Sequence, residues 1–500
     1  MPKTPLRVIT ALRSEYLALT GQVGDARLER CGMGPARVAE WLPSLTTFNN
    51  GALVVAGVAG GLSHELRAGD VVVASEVRDV GGRTLLRAAA PLAAELRAIG
   101  LRVHVGPIVS TDHIVSGPER EKLRETGALA VDMESAALVR EVAKRDVCVA
   151  VVRVIVDTAH MPLARFSTVA AGMRALQVLR RTGPAFEKWA ETVGPRTVYL
   201  AGPRSFCAGV DRAIDIVERA LRRYPRPVYV RRQIVHNAHV VADLERQGAV
   251  FVDELDEVPD DTTVVFSAHG VAPSVRAEAE RRHLTVVDAT CPLVTKVHTE
   301  AKRFLARGDT VVLIGHGDHD ETEGTLGEGR IHLVSTPADA ALLQVEDPDK
   351  VSFVTQTTLA VEESEQVVDA LRQRFPLLQS PPTEDICYAT TNRQLAVRAI
   401  AAECDVVIVV GSQNSSNSKR LVEVSERLGT PAYLVDDATE IRPEWIRAAR
   451  KVGLTAGASA PPHLIDEVVG TLSALGHVEV IEREVAREDI RFTLPKEVAH

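Results

Sequence analysis

Three cysteines, Cys207, Cys291 and Cys387, stand 84 and 96 residues apart. Each sits in a short polar or glycine-containing run: Pro203-Arg204-Ser205-Phe206-Cys207-Ala208-Gly209, Asp288-Ala289-Thr290-Cys291-Pro292 and Asp385-Ile386-Cys387-Tyr388. Thiolates from three separate segments can hold an iron-sulfur cluster and leave one iron without a protein ligand, open to a substrate. Spacing alone favours a plainer reading, in which such cysteines are small buried apolar side chains; Cys31, Cys148 and Cys404 sit in settings of that kind and are assigned no chemistry. Zinc also takes Cys and His ligands, but local pairs such as Cys-x-x-Cys or His-Glu-x-x-His do not occur here. Six cysteines in 500 residues, with no close pairs, do not make a disulfide framework.

The elements that must position these groups are short Val/Ile-rich runs, among them 53–57, 70–74, 148–156, 197–200, 263–267, 285–288, 310–315 and 405–411. Runs of this kind suit strands buried on both faces of a parallel sheet. Helical periodicity fills the gaps, as in 208–223, where Val210, Ala213, Ile214, Val217, Ala220 and Leu221 share one face. The alternation predicts α/β architecture. Polar residues follow the runs: Cys207, His269, Cys291, His319 and Ser415 each come after one, and open α/β sheets bind ligands beyond the carboxyl ends of their strands.

Length predicts two to four folding units of roughly 100–200 residues. Val193-Gly194-Pro195-Arg196 ends an amphipathic stretch, so the expected division is 1–185 and 196–500. Apolar residues at 45% and charged residues at 25% describe a globular chain, and a net charge of −9 gives no attraction to nucleic acid. No apolar run approaches the roughly 20 residues that cross a bilayer, and the first residues lack the apolar core of a signal peptide; the expected location is the cytoplasm.

From Val198 to about Pro461 the chain resembles the 4-hydroxy-3-methylbut-2-enyl diphosphate reductase family. The resemblance is carried by Arg204-Ser205-Phe206-Cys207-Ala208-Gly209-Val210-Asp211-Arg212-Ala213, Ile234-Val235-His236-Asn237, Phe266-Ser267-Ala268-His269-Gly270-Val271, Asp288-Ala289-Thr290-Cys291-Pro292-Leu293-Val294-Thr295-Lys296, Thr355-Gln356-Thr357-Thr358, Ile386-Cys387-Tyr388-Ala389-Thr390-Thr391-Asn392-Arg393-Gln394, Gly411-Ser412-Gln413-Asn414-Ser415-Ser416-Asn417-Ser418 and Thr455-Ala456-Gly457-Ala458-Ser459-Ala460-Pro461. It implies a three-lobed α/β domain around a [4Fe-4S] cluster held by Cys207, Cys291 and Cys387. The implied reaction is reductive dehydroxylation of a small allylic diphosphate to isopentenyl and dimethylallyl diphosphate, with ferredoxin or flavodoxin as electron donor.

By the same resemblance Glu321 is the proton donor, with His319 and Thr357 at the reacting end. His236, His269, Ser415, Ser416, Asn417 and Ser459 bind the diphosphate, aided by a helix beginning after Asn417. Alone, a serine-asparagine cluster is a turn and Glu321 a solvated loop carboxylate. Asp320 stands where the family carries proline; it either raises the pKa of Glu321 or faces solvent. A cluster-based redox sensor without turnover is the alternative, although a sensor needs no such set of acid and diphosphate donors.

Residues 6 to about 180 resemble the nucleoside phosphorylase and nucleosidase family through Ala11-Leu12-Arg13-Ser14-Glu15, Gly32-Met33-Gly34-Pro35, Gly57-Val58-Ala59-Gly60-Gly61-Leu62, Val131-Asp132-Met133-Glu134-Ser135 and Val152-Arg153-Val154-Ile155-Val156-Asp157. This implies N-glycosidic cleavage of a nucleoside, expected to be a purine nucleoside linked to isoprenoid or hopanoid metabolism. Glu134 would bind ribose hydroxyls, Met133 would line the sugar or base, Asp157 would protonate the base, and Glu15 would activate water or place the nucleophile. Read singly, Met133 is core and Asp157 a strand-end turn or cap. Arg27 and Arg37 are candidates for a phosphate site that would separate phosphorylase from hydrolase.

Overall fold

The computed structural model describes residues 4–46, 48–49, 51–145, 147–158 and 167–499. Strands and helices alternate along the chain, and the chain divides into two compact units. The first holds the chain through Val198 together with Asp437–Lys451 and Asp466–Val480; the second holds Tyr199–Asp436, Val452–Ile465 and the chain from Ile481. The division therefore follows no single cut in the sequence.

The first unit is built on an eight-stranded sheet in the order Arg27–Arg30, Leu6–Thr10, Gly51–Gly61, Ala130–Asp132, Val103–Ser110, Val71–Asp79, Gly82–Leu85. Val147–Asp157 pairs with both Gly51–Gly61 and Val71–Asp79, which closes five strands into a ring. The apolar runs here do not all run parallel as expected: Gly51–Gly61 meets Ala130–Asp132 antiparallel, and Val71–Asp79 meets Val147–Asp157 antiparallel. Burial on both faces makes a strand apolar whatever its direction, so composition carried no information on this point.

Three further sheets carry the remaining strands. A four-stranded sheet runs Ala249–Val252, Val228–Arg231, Thr263–Phe266, Thr285–Asp288, all parallel, with Val265 between Val230 and Val287. A three-stranded parallel sheet has Thr310–Ile314 between Ile331–Val334 and Val351–Thr355. A five-stranded sheet runs Ala432–Val435, Val406–Val410, Lys451–Ala456, Arg196–Gly202, Val478–Glu484. The central strands are wholly buried β-branched runs such as Val-Val-Ile-Val-Val at 406–410; burying each such side chain contributes about 1.5–3 kcal/mol. The helix Ala208–Arg223 buries Val210, Ala213, Ile216, Val217, Ala220 and Leu221, while Ile214 is only partly covered. Among the described residues no helix is long and apolar enough to cross a membrane.

Candidate functional site

Each of the three cysteines occupies the residue before a helix. Cys207 caps Ala208–Arg223 after the strand Arg196–Gly202 of the five-stranded sheet. Cys291 caps Pro292–Ala306 after Thr285–Asp288 of the four-stranded sheet. Cys387 caps Tyr388–Ala401, and its amide donates to Thr357 O (3.0 Å) just beyond the last strand of the three-stranded sheet. One thiol thus comes from each sheet, at a helix start where unpaired amides favour negative charge. Cys387 Sγ accepts from Thr390 N at 3.3 Å and lies 3.1 Å from Thr390 Oγ1. Burial and the neighbouring sulfurs nevertheless push Cys291 up to about 12 and Cys387 up to about 11.

The three cysteines, the histidines His236, His269 and His319, and Glu321, Thr357, Ser415, Ser416, Asn417 and Ser459 all line one cavity of about 110 Å³. Loops at the carboxyl ends of the strands bring them there. His236 precedes Asn237, whose side chain accepts from His239 N and Val240 N to begin Ala238–Gln247. His319 caps Asp320–Leu326; its Nδ1 accepts from Glu321 N at 3.2 Å, which places the ring proton on Nε2. The His236 and His269 rings stack with centroids 4.0 Å apart, and His319 meets both edge-on at 5.2 and 5.6 Å. Burial lowers all three histidines below their ordinary value, His319 to about 4, so the cluster is neutral near pH 7.

Glu321 is 2% exposed, and its two oxygens accept from Thr357 N (2.6 Å) and Thr357 Oγ1 (2.9 Å). Burial raises its pKa to about 7 against the lowering effect of those bonds; Asp385 adds to the rise. Asp320 has no part in it, and neither sequence expectation for Asp320 describes its actual setting: its carboxylate accepts from Arg232 Nη1 at 2.5 Å.

Around the cavity's other end, Ser459 Oγ donates to His236 O (2.9 Å) and Asn417 Oδ1 accepts from Ala458 N (3.0 Å). Ser416 Oγ is buried with no hydrogen-bond partner. The helix expected to begin after Asn417 begins earlier, at Ser416, because the Ser415 side chain accepts from Ser418 N (3.3 Å) and caps it. Asn417 lies within the first turn.

Sequence reasoning passed over Gly209, Thr390 and Arg393. A Cβ on Gly209 would fall 2.8 Å from Cys291 Sγ and 3.8 Å from Cys207 Sγ, so only glycine leaves room at the sulfurs. Arg393, fully buried, donates to Ser205 O (2.7 Å), Phe206 O (3.4 Å) and Ala389 O (3.0 Å) and pairs with Glu488 (3.1 Å), tying the Cys207 loop to the Cys387 helix. The signal was present in the motif Thr391-Asn392-Arg393-Gln394, where a buried arginine implies carbonyls to satisfy.

In the first unit Glu15, Met133, Glu134 and Asp157 line a separate cavity of about 280 Å³. Glu15 is 1% exposed; Oε2 accepts from Ala11 N (3.0 Å) and Leu12 N (2.8 Å), and Oε1 from Val58 N (2.8 Å). Glu134 Oε1 accepts from Gly34 N (3.0 Å), and burial raises its pKa against the opposing pull of Arg153. Met133 is half-buried on the wall rather than in the core. Asp157, last residue of its strand, takes Arg120 Nη1 on Oδ2 at 2.6 Å, and Arg120 is anchored on Gly61 O. Arg153, 1% exposed, binds Asp132 (2.7 Å), Ser135 Oγ (3.0 Å) and Glu134 (3.4 Å), yet its Nη1 has no partner. Arg120 and Arg153 were not singled out from the sequence. Arg27 and Arg37, which were, stay off the cavity and pair with Glu29 (2.9 Å) and Glu40 (2.8 Å) at the surface.

Loops from three α/β sheets converging on cysteine, histidine and a buried carboxylic acid define an oxidoreductase of the LytB family. The model of the LytB protein family matches residues 198–473, more than half of the chain, and the chain belongs to that family. The phosphorylase superfamily matches residues 6–182, which form the N-terminal phosphorylase/nucleosidase-like domain. Relatives of the larger part are 4-hydroxy-3-methylbut-2-enyl diphosphate reductases: that of Mycobacterium bovis, reductase 2, is 58% identical over 63% of this chain and 97% of its own. The Escherichia coli enzyme is 54% identical over 60% of this chain and 97% of its own. Among solved structures, the Plasmodium falciparum E-1-hydroxy-2-methyl-but-2-enyl-4-diphosphate reductase has 36% identity and a TM-score of 0.59, covering 61% of this chain and 97% of that one.

Proposed function

We propose that the second unit reduces (E)-4-hydroxy-3-methylbut-2-enyl diphosphate to isopentenyl and dimethylallyl diphosphate. In this step the allylic C–O bond breaks and a C–H bond forms, two electrons and two protons enter, and water leaves. The observation that carries the reading is the single cavity shared by three cysteines, a buried carboxylic acid and the hydroxyl and imidazole donors.

A [4Fe-4S] cluster fits the cysteines because all three line one cavity and Gly209 leaves the space beside the sulfurs of Cys291 and Cys207 clear. Bound by Cys207, Cys291 and Cys387, the cluster supplies a Lewis-acidic iron for the substrate hydroxyl and the electrons for C–O cleavage.

The chain's own residues do the rest. Ser415, Ser416, Asn417 and Ser459 hold the diphosphate with the neutral imidazoles of His236 and His269, and the unpartnered Ser416 hydroxyl is free to donate. Thr357 fixes the Glu321 carboxyl and orients the substrate hydroxyl. Glu321, protonated up to about pH 7, delivers the proton that lets hydroxide leave as water. His319, with its proton on Nε2, steadies the same end. A soluble donor of the ferredoxin or flavodoxin type supplies the electrons.

The test is anaerobic purification with visible and EPR spectra and iron and sulfide analysis, followed by substrate and reductant. Formation of the two five-carbon diphosphates by a protein with a [4Fe-4S] signal supports the reading. A cluster without turnover favours a redox sensor, and a folded, reconstituted protein without iron overturns it.

For the first unit the four acidic and methionine positions on one cavity favour N-glycosidic cleavage of a purine nucleoside. Glu134 holds the ribose, Met133 lines the pocket, and Asp157 Oδ1 faces the base. Glu15 and the unpartnered Arg153 Nη1 place the nucleophile. A Cβ on Gly57 would fall 2.6 Å from Glu15 Oε1 and 2.3 Å from Arg153 Nη1, so glycine keeps the gap between them open. With Arg27 and Arg37 off the cavity, the nucleophile we favour is water. Release of adenine from adenosine derivatives, including a lipid-linked one, is measured with and without phosphate; a strict phosphate requirement makes the domain a phosphorylase, and no release in either buffer ends the reading.

A further inference from the structure

The helix that carries Glu321, Asp320–Leu326, is seven residues long. A helix of that length is not stable by itself in water, so its orientation is set by what holds it from outside. On its buried side the Glu321 carboxyl takes Thr357 N and Thr357 Oγ1. On its outer side Asp320 and Glu323 stand three residues apart, the spacing that puts two side chains on one face. A single guanidinium grips both. Arg232 Nη1 donates to Asp320 Oδ1 (2.5 Å) and Glu323 Oε2 (2.8 Å), while Nη2 donates to Glu323 Oε1 (3.1 Å) and Glu254 Oε1 (2.9 Å). These bonds use every hydrogen on the two Nη atoms, so that end of the side chain is committed to the tie.

The tie joins two sheets. Arg232 follows the strand Val228–Arg231 of the four-stranded sheet, and its amide donates to Val252 O at 2.7 Å. The helix follows Thr310–Ile314 of the three-stranded sheet. Arg232 also has a φ of 56°, in the left-handed region that side chains other than Asn and Asp rarely adopt. Such a conformation persists where the surroundings over-determine it, and it gathers at functional positions. Glycine or asparagine would suit the backbone better; arginine supplies the reach to the helix.

Asp320 is the first residue of the helix after its cap, His319. Proline is favoured at that position because its ring fixes φ near the helical value. Aspartate carries no such restriction, and here an ion pair from a neighbouring loop fixes from outside what a ring would fix from within.

We propose that Arg232 is a positioning residue for Glu321: by holding Asp320 and Glu323 together it sets the roll of the helix about its axis, and with it the aim of the Glu321 carboxyl. The use made of Glu321 rests on the reductase reading, whereas the tie itself does not.

The test compares backbone hydrogen exchange in 321–326, and turnover where it occurs, across four forms of the full-length chain purified anaerobically: unaltered, Arg232→Asn, Arg232→Asn with Asp320→Pro, and Arg232→Asn with Asp320→Asn. Asparagine is chosen at 232 because it tolerates the left-handed backbone. Arg232→Asn is expected to speed exchange in 321–326 by about tenfold while the four-stranded sheet keeps its protection, and to lower kcat by a similar factor with KM within about twofold. Asp320→Pro is expected to recover most of both losses, and Asp320→Asn neither. Unchanged exchange in Arg232→Asn, acceleration spread evenly over the chain, or recovery by Asp320→Asn as full as by Asp320→Pro overturns the proposal, the last because relief of charge would then explain the effect. Absence of turnover in the unaltered chain counts against the reductase reading instead, and the exchange measurements still decide the tie. Should Arg232→Asn fail to fold, Arg232→Lys, which keeps the charge but lacks the planar fork, must loosen the same segment.

Discussion

Glu321 keeps a proton near neutrality because its carboxyl is closed off from water, and the two Thr357 bonds only soften that effect. If the proton serves the leaving hydroxide, turnover is highest at acid to neutral pH and declines as pH rises through about 7. Glu321→Gln is expected to retain the visible spectrum and iron content while losing about 10²–10⁴-fold in kcat, the range for removing a general acid; full activity in that variant removes Glu321 from the reaction. The same shift has a stability signature. A carboxyl raised from 4.5 to about 7 stabilises the fold fully below pH 4.5, and that contribution, about 3 kcal/mol, is lost as pH rises through 7. His319, lowered from 6.5 to about 4, acts oppositely: its contribution is complete above 6.5 and lost as pH falls through 4, and His236 and His269 shift the same way. Between pH 4.5 and 6.5 the Glu321 contribution opposes those of the three histidines without cancelling them. Glu321→Gln should therefore steepen the acid loss of stability, measured as denaturant midpoints across that window.

At the scale of elements, the placement of the three cysteines depends on what their helices are fastened to. Arg393 joins two of the three cysteine segments and takes Glu488 from the chain's last stretch. Arg393→Met leaves the carbonyls of Ser205 and Phe206 and the Glu488 charge unpaired, a change expected to cost about 3–5 kcal/mol. Its diagnostic readout is faster bleaching of the visible spectrum in air, which a loss of global stability alone, corrected by denaturant melts, would not produce. Gly209→Ala should reduce iron per chain without altering secondary structure, since its Cβ would enter the space beside Cys291 Sγ. These elements were only partly legible in advance. The apolar runs located the strands, and the motifs picked out Cys207, Cys291 and Cys387, which line one cavity, because both signals are local. Arg393 to Ser205 spans 188 residues and Arg120 to Asp157 spans 37. Such pairings are decided by packing that no local pattern records, and the early start of the helix at Ser416 turned on one hydroxyl reaching Ser418 N.

For the molecule as a whole, two cavities with different chemistry lie on one chain, each within its own compact unit. Asp157→Asn is expected to abolish base release from a nucleoside and leave iron content and diphosphate reduction at wild-type levels, while Cys291→Ala does the reverse; a variant that loses both activities would show that the readings are coupled. The sequence division at 185–196 falls between the two family matches but does not contain the return of Asp437–Lys451 and Asp466–Val480 to the first unit, since those segments are ordinary helix and strand in composition and join it only through the folded chain. The one-thiol-per-sheet arrangement has a further consequence. The proposed cluster, if held by all three sheets across chain intervals of 84 and 96 residues, would also be a cross-link, and closing a loop near 100 residues removes roughly 4–5 kcal/mol of chain freedom from the unfolded ensemble. Oxygen that dissolves the iron would then do more than silence a reaction: it would unbuckle the scaffold, exposing it to proteases and making the protein's lifetime in an aerobic cell follow its iron supply.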